Sequence, residues 1–404
     1  MISVAEAQAR ILSALAPLPP ETVPLPEAFG RVLAADLHAR VTQPPVAVSA
    51  MDGYAVRAAD VASVPVDLRC IGEAPAGRAF AGTLGPGECV RIFTGAPVPA
   101  GADAIVIQED TEAEGDRVTV REGAPAGRYV RAAGLDFAAG KVGLTAGRLM
   151  TARDVGLAAA MNLPWVEVRR RPRIAILATG DEIVRPGDPV GPSQIVSSNS
   201  LALAATVRAL GGEPLDLGIA LDTRESLASR IAAARGADLL VTTGGASVGD
   251  YDLVREVLGD RGLSLDFYKI AMRPGKPLSF GRLGDVPVLG LPGNPVSTLV
   301  CALLFLKPAL RLMHGLEPVE AEVPAARLGA ALPANDRRQE YRRATLTHGP
   351  DGERIATPFA NQDSSVMSLL AGADCLIVRA PFAPPAEAGE KVEILSFEGG
   401  FLRL

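Results

Sequence analysis

Residues 173–180 read RIAILATG, an apolar run that ends in glycine, and this stretch decides the predicted fold. It is followed by the helix-like segment SNSLALAATVRALGG at 198–212 and by a second apolar run, PLDLGIALD, at 214–222. Strands that alternate with helices at this spacing indicate a parallel sheet with crossover helices. We therefore predict a central, doubly wound parallel α/β domain at residues 169–317.

The segments on either side of this domain have a different composition. Residues 41–140 contain short β-type runs separated by Gly/Pro turns, which predicts an inserted β-rich domain. Residues 1–40 and 141–168 are helical or proline-rich in composition, and we assign them to one discontinuous helical and linker domain. Further β-type runs at 318–404 predict a C-terminal β-domain. A chain of 404 residues is long enough for several such domains.

Composition argues against several classes of function. The formal net charge of −6 and the 4% aromatic content disfavour nucleic-acid binding, which needs basic surfaces and stacking platforms. The four cysteines and three histidines are scattered, without CxxC or HExxH spacing, so we predict reduced thiols and no zinc site. The apolar stretch after Pro295 reaches only Leu306, short of the roughly 20 residues of a membrane span, and no signal peptide is indicated. The sequence therefore predicts a soluble cytoplasmic enzyme without nucleic-acid or membrane partners.

Polar and glycine-rich loops follow the predicted strands of the central domain. They are TGDE at 179–182, Asp222, GGASVGD at 244–250, RPGKP at 273–277 and LPGNP at 291–295. Ligands of parallel sheets bind outside the carboxyl ends of the strands, so these loops are predicted to form one site. GGASVG offers backbone N–H groups to an anion, although a tight strand-to-helix turn explains it equally well. Neither GxGxxG nor GxxxxGK[ST] occurs, which disfavours a nicotinamide dehydrogenase or a P-loop NTPase.

Cations and acids lie at the same predicted strand ends. The cations Lys269, Arg273 and Lys276 suit a phosphate or a tetrahedral oxyanion, and the alternative is a solvated turn. Only five of the 40 basic residues are lysines, so two lysines this close together indicate a specific need. The acids either cap helices or hold Mg²⁺ against substrate phosphates, and their spacing does not identify the ligands. These acids are Glu182, Asp222, Asp250 and Asp252.

Taken together, these segments resemble the molybdopterin molybdenumtransferase family, which carries out the last step of molybdenum-cofactor synthesis. The resemblance extends over nearly the whole chain, and its motifs occur in the family's order and spacing. They include SAMDGYAVRAAD at 49–60, RIFTGAPVPAGADAIVIQED at 91–110, VRAAGLDFAAG at 130–140, VTTGGASVGDYD at 241–252, YKIAMRPGKPLSFG at 268–281, QEYRRATL at 339–346 and QDSSVMSLL at 362–370.

The resemblance implies an elongated four-part subunit and a homodimer. Each active cleft is then lined by the α/β domain of one subunit and the inserted domain of the other. The implied reaction takes adenylylated molybdopterin and molybdate, needs Mg²⁺, releases AMP and leaves molybdenum on the dithiolene. Other molybdenum-cofactor synthesis proteins and recipient molybdoenzymes are the implied partners. The sequence does not distinguish molybdate from tungstate.

The resemblance also implies site residues. The implied catalytic residues are Asp52, Thr94, Glu182, Asp222 and Asp252, with Asp222 and Asp252 as the Mg²⁺ ligands. The substrate-binding residues inferred from the glycine-rich loop and from the resemblance are Arg131, Asp136, Gly244, Gly245, Ser247, Lys269, Arg273, Lys276, Ser297, Arg343 and Ser365. The chain departs from the family at Arg273, where lysine is frequent, and around Arg131, where further arginines are frequent.

Two functions of other classes compete with this one. A non-catalytic scaffold is possible in principle, because a eukaryotic neuronal relative uses this fold to cluster receptors, but the retained acids and cations disfavour it. The second alternative is an adenylyltransferase that acts one step earlier on molybdopterin, because the central domain of this chain resembles that enzyme. The flanking domains disfavour that alternative.

Overall fold

A computed structural model describes residues 1–244, 259, 263–318 and 325–397. The chain divides into two compact units. One unit consists of Met1–Glu21 together with Arg169–Leu404, and the other consists of Thr22–Val168. The first unit contains the predicted α/β domain and the C-terminal β-domain, and the second contains the inserted β-rich domain.

The α/β domain is built on a six-stranded sheet. In spatial order its strands are Glu213–Ala220, Arg173–Thr179, Leu239–Thr243, Val286–Leu291, Ser279–Leu283 and Leu263–Tyr268. The first four strands are parallel, which confirms the predicted parallel sheet. Ser279–Leu283 pairs antiparallel with both of its neighbours, Val286–Leu291 and Leu263–Tyr268. No crossover helix separates Leu263–Tyr268 from Ser279–Leu283, because the segment that contains RPGKP turns the chain back.

Helices cover this sheet and bury its apolar side chains. They are Asn199–Ala209, Arg224–Ala232 and a long helix that runs through Pro295–Cys301, the π-helical segment Ala302–Leu306 and Lys307–Met313. By length and composition alone, Pro295–Met313 is apolar enough to cross a membrane. However, 83% of its most apolar 18-residue window is buried inside the protein, as in the core helix of a soluble domain.

The N-terminal helix Val4–Ser13 also packs onto the α/β core. The Ser3 hydroxyl accepts a hydrogen bond from the Glu6 N–H (3.1 Å) and caps the helix. Val4, Ala7 and Ile11 form its buried stripe within the same hydrophobic cluster as the central sheet. This helix therefore belongs to the α/β unit.

The C-terminal domain is a closed β-barrel with one added strand. Its strands in spatial order are Met272–Arg273, Gln339–His348, Arg354–Pro358, Ala325–Leu328, Lys391–Ser396 and Cys375–Arg379. Gln339–His348 also pairs with Cys375–Arg379, and this pairing closes the barrel. A short helix, Met367–Ala371, follows the loop 361–366. The strand Met272–Arg273 joins the RPGKP turn directly to this domain, since Arg273 pairs with Glu340.

The second unit is predominantly β-structure, as predicted for the inserted domain. Its six-stranded sheet has the order Ala104–Ile107, Gly53–Val56, Glu88–Ile92, Val66–Ala74, Arg117–Val120 and Thr111–Glu114. Short two-stranded pairs join Val130–Arg131 to Val48–Ser49, Val142–Leu144 to Leu37–His38, and Trp165–Arg169 to Pro20–Pro24. The 3₁₀ turns are Leu25–Glu27, Ala58–Val61 and Gln108–Asp110.

The helical character predicted for the discontinuous linker domain is not confirmed. Of the predicted segments 1–40 and 141–168, residues 1–21 belong to the first unit and contain the helix Val4–Ser13. Residues 22–40 and 141–168 contain one α-helix, Ala152–Ala160, and otherwise form strands, a 3₁₀ turn and loops. The proline and glycine that interrupt these stretches favour short extended segments over helices.

Candidate functional site

The parallel strands of the α/β unit end at one edge of the sheet and bring the predicted loops together. Thr243 is in register with Ala178 on one side and with Leu291 on the other. A cavity of about 690 Å³ lies beyond these strand ends. It is lined by Glu182, Gly244, Arg273, Lys276, Ser297 and residues of the loop 361–366, among others. The structure thus brings together five residues that the sequence analysis assigned to the site.

The loops at this edge are held close by glycine and by one asparagine. Gly244 has φ +90°, and a Cβ there would lie 2.3 Å from the Thr179 carbonyl oxygen, so only glycine fits. The Asn199 side-chain amide donates hydrogen bonds to Thr243 Oγ1 (2.9 Å) and to the Gly293 carbonyl oxygen (2.7 Å). Asn199 is a positioning residue that sequence reasoning missed, because it lies in a segment, 198–212, that suggested only a helix.

Three carboxylates lie near one another beside the first two strand ends. The Asp222 N–H donates a hydrogen bond to Asp181 Oδ1 (3.0 Å). Burial, together with repulsion from Asp181 and Glu182, raises the pKa of the Asp222 carboxyl. Among the described residues, Asp222 is thus a carboxylate whose negative charge is repelled by its acidic neighbours.

This acidic group fits Mg²⁺ but does not enclose it. Within the described ranges, no group of three or more His, Cys, Asp or Glu side chains is arranged to hold a metal ion. Mg²⁺ usually takes one or two carboxylates together with substrate phosphates, so a complete cage is not required. A divalent cation would relieve the repulsion that raises the Asp222 pKa. Asp252, the second predicted ligand, lies outside the described residues, as do Asp250, Gly245 and Ser247.

The three predicted cations have different environments. Arg273 Nη2 forms an ion pair with Glu340 Oε1 (2.8 Å), and Nη1 lies 3.7 Å from Asp336 Oδ2. Lys269 has φ +72°, and its Nζ lies 4.9 Å from the centroid of the Tyr268 ring.

Lys276 differs from the other two cations. Its side chain is exposed at the cavity and forms no ion pair with any residue that the structure describes. Lys269 also lacks an ion pair among the described residues, but it is half-buried and does not line the cavity. Lys276 is therefore the exposed cation of the three that lies at the cavity and is available to an anion.

The buried Arg343 organises the loop 361–366. Its residue exposure is only 1%, and its guanidinium donates hydrogen bonds to the carbonyl oxygens of Val366 (3.0 Å) and Asp363 (3.0 Å). Since backbone carbonyls already occupy these donors, we interpret Arg343 as a positioning residue. Burial lowers the pKa of its guanidinium.

The loop that Arg343 holds contributes to the cavity. Ser365 Oγ donates a hydrogen bond to Asp363 Oδ1 (2.7 Å), and the Asn294 side-chain amide donates one to Ser364 Oγ (2.8 Å). Asp363, Ser364 and Asn294 line the cavity together with the buried Ser297. Sequence reasoning missed Asp363 and Ser364, although QDSS was part of a recognised motif.

The second unit contains the remaining predicted site residues. Asp52 Oδ1 accepts hydrogen bonds from the Thr94 N–H (2.7 Å) and from Thr94 Oγ1 (2.8 Å). These two bonds lower the pKa of Asp52 and keep it ionised at neutral pH. Arg131 and Asp136 are both exposed in this unit.

Comparisons with known proteins agree over almost the whole chain. Three family models match it: "MoeA N-terminal region (domain I and II)" at residues 2–162, "Probable molybdopterin binding domain" at 175–312 and "MoeA C-terminal region (domain IV)" at 325–397. The chain is 40% identical over 360 residues to molybdopterin molybdenumtransferase 2 of Mycobacterium tuberculosis, covering 86% of this chain and 88% of the relative. It is 32% identical over 406 residues to the molybdopterin molybdenumtransferase of Haemophilus influenzae, covering 98% and 99%.

Solved structures give the same result. The molybdopterin biosynthesis MoeA protein from Pyrococcus horikosii matches with a TM-score of 0.86 at 31% identity. That match covers 99% of this chain and 100% of the Pyrococcus chain, so the similarity includes every domain.

Proposed function

The chain belongs to the molybdopterin molybdenumtransferase family, and from this premise we propose that it transfers molybdenum from molybdate to adenylylated molybdopterin with release of AMP. The family makes the chain a transferase of molybdenum-cofactor biosynthesis. The observation that carries the specific reaction is the 690 Å³ cavity at the strand ends, where Glu182 and Lys276 line one space. An acid and an available cation in one cavity are suited to phosphate and oxyanion chemistry.

Each part of the site has a task in this proposal. Lys276 binds molybdate or a substrate phosphate as a compact ammonium donor. Asp222, together with Asp252, holds Mg²⁺, which neutralises charge on the adenylyl phosphate when bound. Gly244 lets the backbone pack against Thr179 at the strand ends, where a Cβ would not fit. Asn199 and Arg343 keep the loops in place.

The direct test is a reconstituted reaction. The protein is mixed with adenylylated molybdopterin, Mg²⁺ and molybdate, and AMP release is followed together with formation of active molybdenum cofactor. We expect both products in a 1:1 ratio and only when molybdate is present. AMP release that is independent of molybdate and yields no cofactor would contradict the transfer reaction and leave a hydrolase.

We also propose that the working unit is a cytoplasmic homodimer. None of the four cysteines forms a disulfide, which suits a reducing compartment. Membership of the family supports a cleft formed by the α/β domain of one subunit and the inserted domain of its partner.

The dimer proposal predicts complementation between two inactive variants. Asp52→Ala affects the second unit and Asp222→Ala the first, so each homodimer lacks one component of both clefts. A refolded mixture contains heterodimers, and one cleft of each heterodimer carries both native acids. We expect the mixture to regain about a quarter of wild-type AMP release, since half of the dimers then have one intact cleft. Full activity of a monomer in sedimentation experiments would contradict the dimer.

A further inference from the structure

A second cavity lies in the same unit as the cavity at the strand ends. It has a volume of about 480 Å³ and shares Lys276 and Arg338 with the cavity at the strand ends. Its lining consists of Met1, Lys276, Asp336, Arg337, Arg338 and Phe382. Lys276 and Arg338 therefore face both cavities, so one ligand that contacts Lys276 can reach the lining of either cavity.

Phe382 is the most unusual residue of this second cavity. It is 75% exposed, more than any other large hydrophobic residue that the structure describes. Its backbone has φ +57°, a left-handed conformation that disfavours bulky side chains. Exposure of an aromatic ring and a left-handed backbone both cost stability, which is typical of a residue retained for binding.

The Phe382 backbone is nevertheless firmly held. Its N–H donates a hydrogen bond to the Asp336 carbonyl oxygen (2.8 Å). The buried Asn335 side chain donates to the Ala380 carbonyl oxygen (2.8 Å) two residues earlier. These bonds fix the segment on which the ring is presented, so little ordering entropy is lost when a ligand binds.

The charges around the ring are positive on balance. Asp336 forms a salt bridge with Arg338 (2.5 Å), and this pairing lowers the pKa of Asp336 to about 2. Arg337 and Lys276 are exposed, and neither forms an ion pair with any residue in the described part of the chain. The cavity thus offers one aromatic face and two uncompensated cations.

We propose that this cavity binds the nucleotide end of the substrate, with the adenine base stacked on Phe382 and its phosphate bound by Arg337 and Lys276. A flat apolar ring beside cations is the chemistry that recognises a phosphorylated aromatic base. This assignment rests on the proposed function, which supplies an adenylyl group. It orients the substrate so that the adenylyl phosphate lies at Lys276, which lines both cavities.

The subsite is tested by binding of adenosine, AMP and inorganic phosphate to the full chain, without turnover. Phe382→Ala is expected to weaken AMP and adenosine binding about 5- to 100-fold, the usual effect of losing one base-stacking ring, and to leave phosphate binding unchanged. Arg337→Gln is expected to weaken AMP and phosphate binding and to leave adenosine binding unchanged. Phe29→Ala removes another exposed phenylalanine (64%) from the second unit and serves as the matched control.

Two further variants distinguish a loss of AMP binding from a loss of folding. Phe382→Gly removes the ring and relaxes the left-handed backbone, so it is expected to unfold at the same or a higher temperature while AMP binding is lost. Phe382→Trp is expected to restore AMP binding. Wild-type AMP affinity in both Phe382→Ala and Phe382→Gly overturns the proposal.

The outcome separates this subsite from the transfer reaction. AMP binding that depends on Phe382, in a protein that makes no cofactor, retains the subsite and contradicts the proposed function. A Phe382→Ala variant with a raised KM for adenylylated molybdopterin but unchanged AMP affinity assigns the ring to the pterin end and overturns the nucleotide assignment.

Discussion

Lys276→Ala is expected to raise the molybdate concentration that gives half-maximal cofactor formation by about 10- to 100-fold, the value of a lost charge-assisted hydrogen bond. The reason is that Lys276 is exposed at the cavity and forms no ion pair within the described part of the chain, so its ammonium group is free to bind an anion. Pro274 and Pro277 flank it and limit the motion of the turn, so the charge is held in place before binding. Lys391→Ala, on an exposed position of the barrel, is the control and is expected to have no effect.

Exchanging lysine and arginine at positions 276 and 273 tests whether binding depends on the charge or on the shape of each cation. Lys276→Arg keeps the charge but replaces a compact ammonium with a planar fork, so only partial recovery is expected. Arg273→Lys is expected to change the molybdate dependence little, because the Arg273 guanidinium is already paired with Glu340 (2.8 Å). It is expected to lower thermal stability instead, since a lysine cannot keep both Glu340 and Asp336 as partners.

Two other results of these titrations would contradict the role assigned to Lys276. If Lys276→Arg equals wild type while Arg273→Lys is inactive, the geometric role belongs to Arg273. If all three variants equal wild type in the molybdate titration, the RPGKP segment is a solvated turn.

The sequence predicted those parts of the site that depend on chain order alone. Parallel strands place their carboxyl ends together, so Glu182, Gly244 and Lys276 were expected at one edge before any coordinates were known. The glycines of GGASVG were expected to offer backbone N–H groups to an anion, and that role stays a prediction. The structure shows a different need for glycine at Gly244, which lies against the Thr179 carbonyl group. Local sequence signals of this kind are sufficient to predict which loops lie together once the fold class is known.

Other features depend on residues far apart in the chain and could not be predicted. Arg343 was assigned to substrate binding, but its burial against the loop 361–366 follows from barrel closure. The helix Val4–Ser13 has a buried apolar stripe, yet the stripe by itself does not reveal which core it covers. Phe382 was missed because a phenylalanine between prolines and alanines gives no signal for a left-handed backbone.

The second large effect concerns Asp222, where loss of activity and gain of stability are expected together. Asp222→Asn is expected to lower Mg²⁺-dependent AMP release by about 100-fold at limiting Mg²⁺, the upper end of what a perturbed metal site loses. An amide cannot replace the carboxylate charge that a hard cation requires. Saturating Mg²⁺ is expected to restore part of the rate, because a weakened ligand set still binds at high concentration.

The thermal stability of Asp222→Asn is expected to equal or exceed that of wild type, because the folded protein raises the pKa of Asp222. A carboxyl with a raised folded-state pKa holds its proton more tightly in the folded state, so its ionisation lowers stability as pH rises through that window. Asp222→Asn removes the repulsion from Asp181 and Glu182, and the variant is expected to melt at or above the wild-type temperature at pH 7. The difference is expected to shrink as the pH falls toward the ordinary pKa of an aspartate, about 4, because less of the wild-type carboxyl is then ionised.

The control is Glu225→Gln, which removes an exposed acid three residues away on the helix Arg224–Ala232. It is expected to change neither the Mg²⁺ dependence nor the pH profile of stability. Calorimetric melting from pH 4 to 8 and AMP release against Mg²⁺ concentration are measured on the same preparations.

If Asp222→Asn melts well below wild type at pH 7, the carboxylate supports the fold, and loss of activity then says nothing about Mg²⁺. If it melts as predicted but keeps the wild-type Mg²⁺ dependence, the metal is held without Asp222. Only the combination of retained stability and lost Mg²⁺ response identifies a carboxylate whose repulsion is tolerated because a cation binds there.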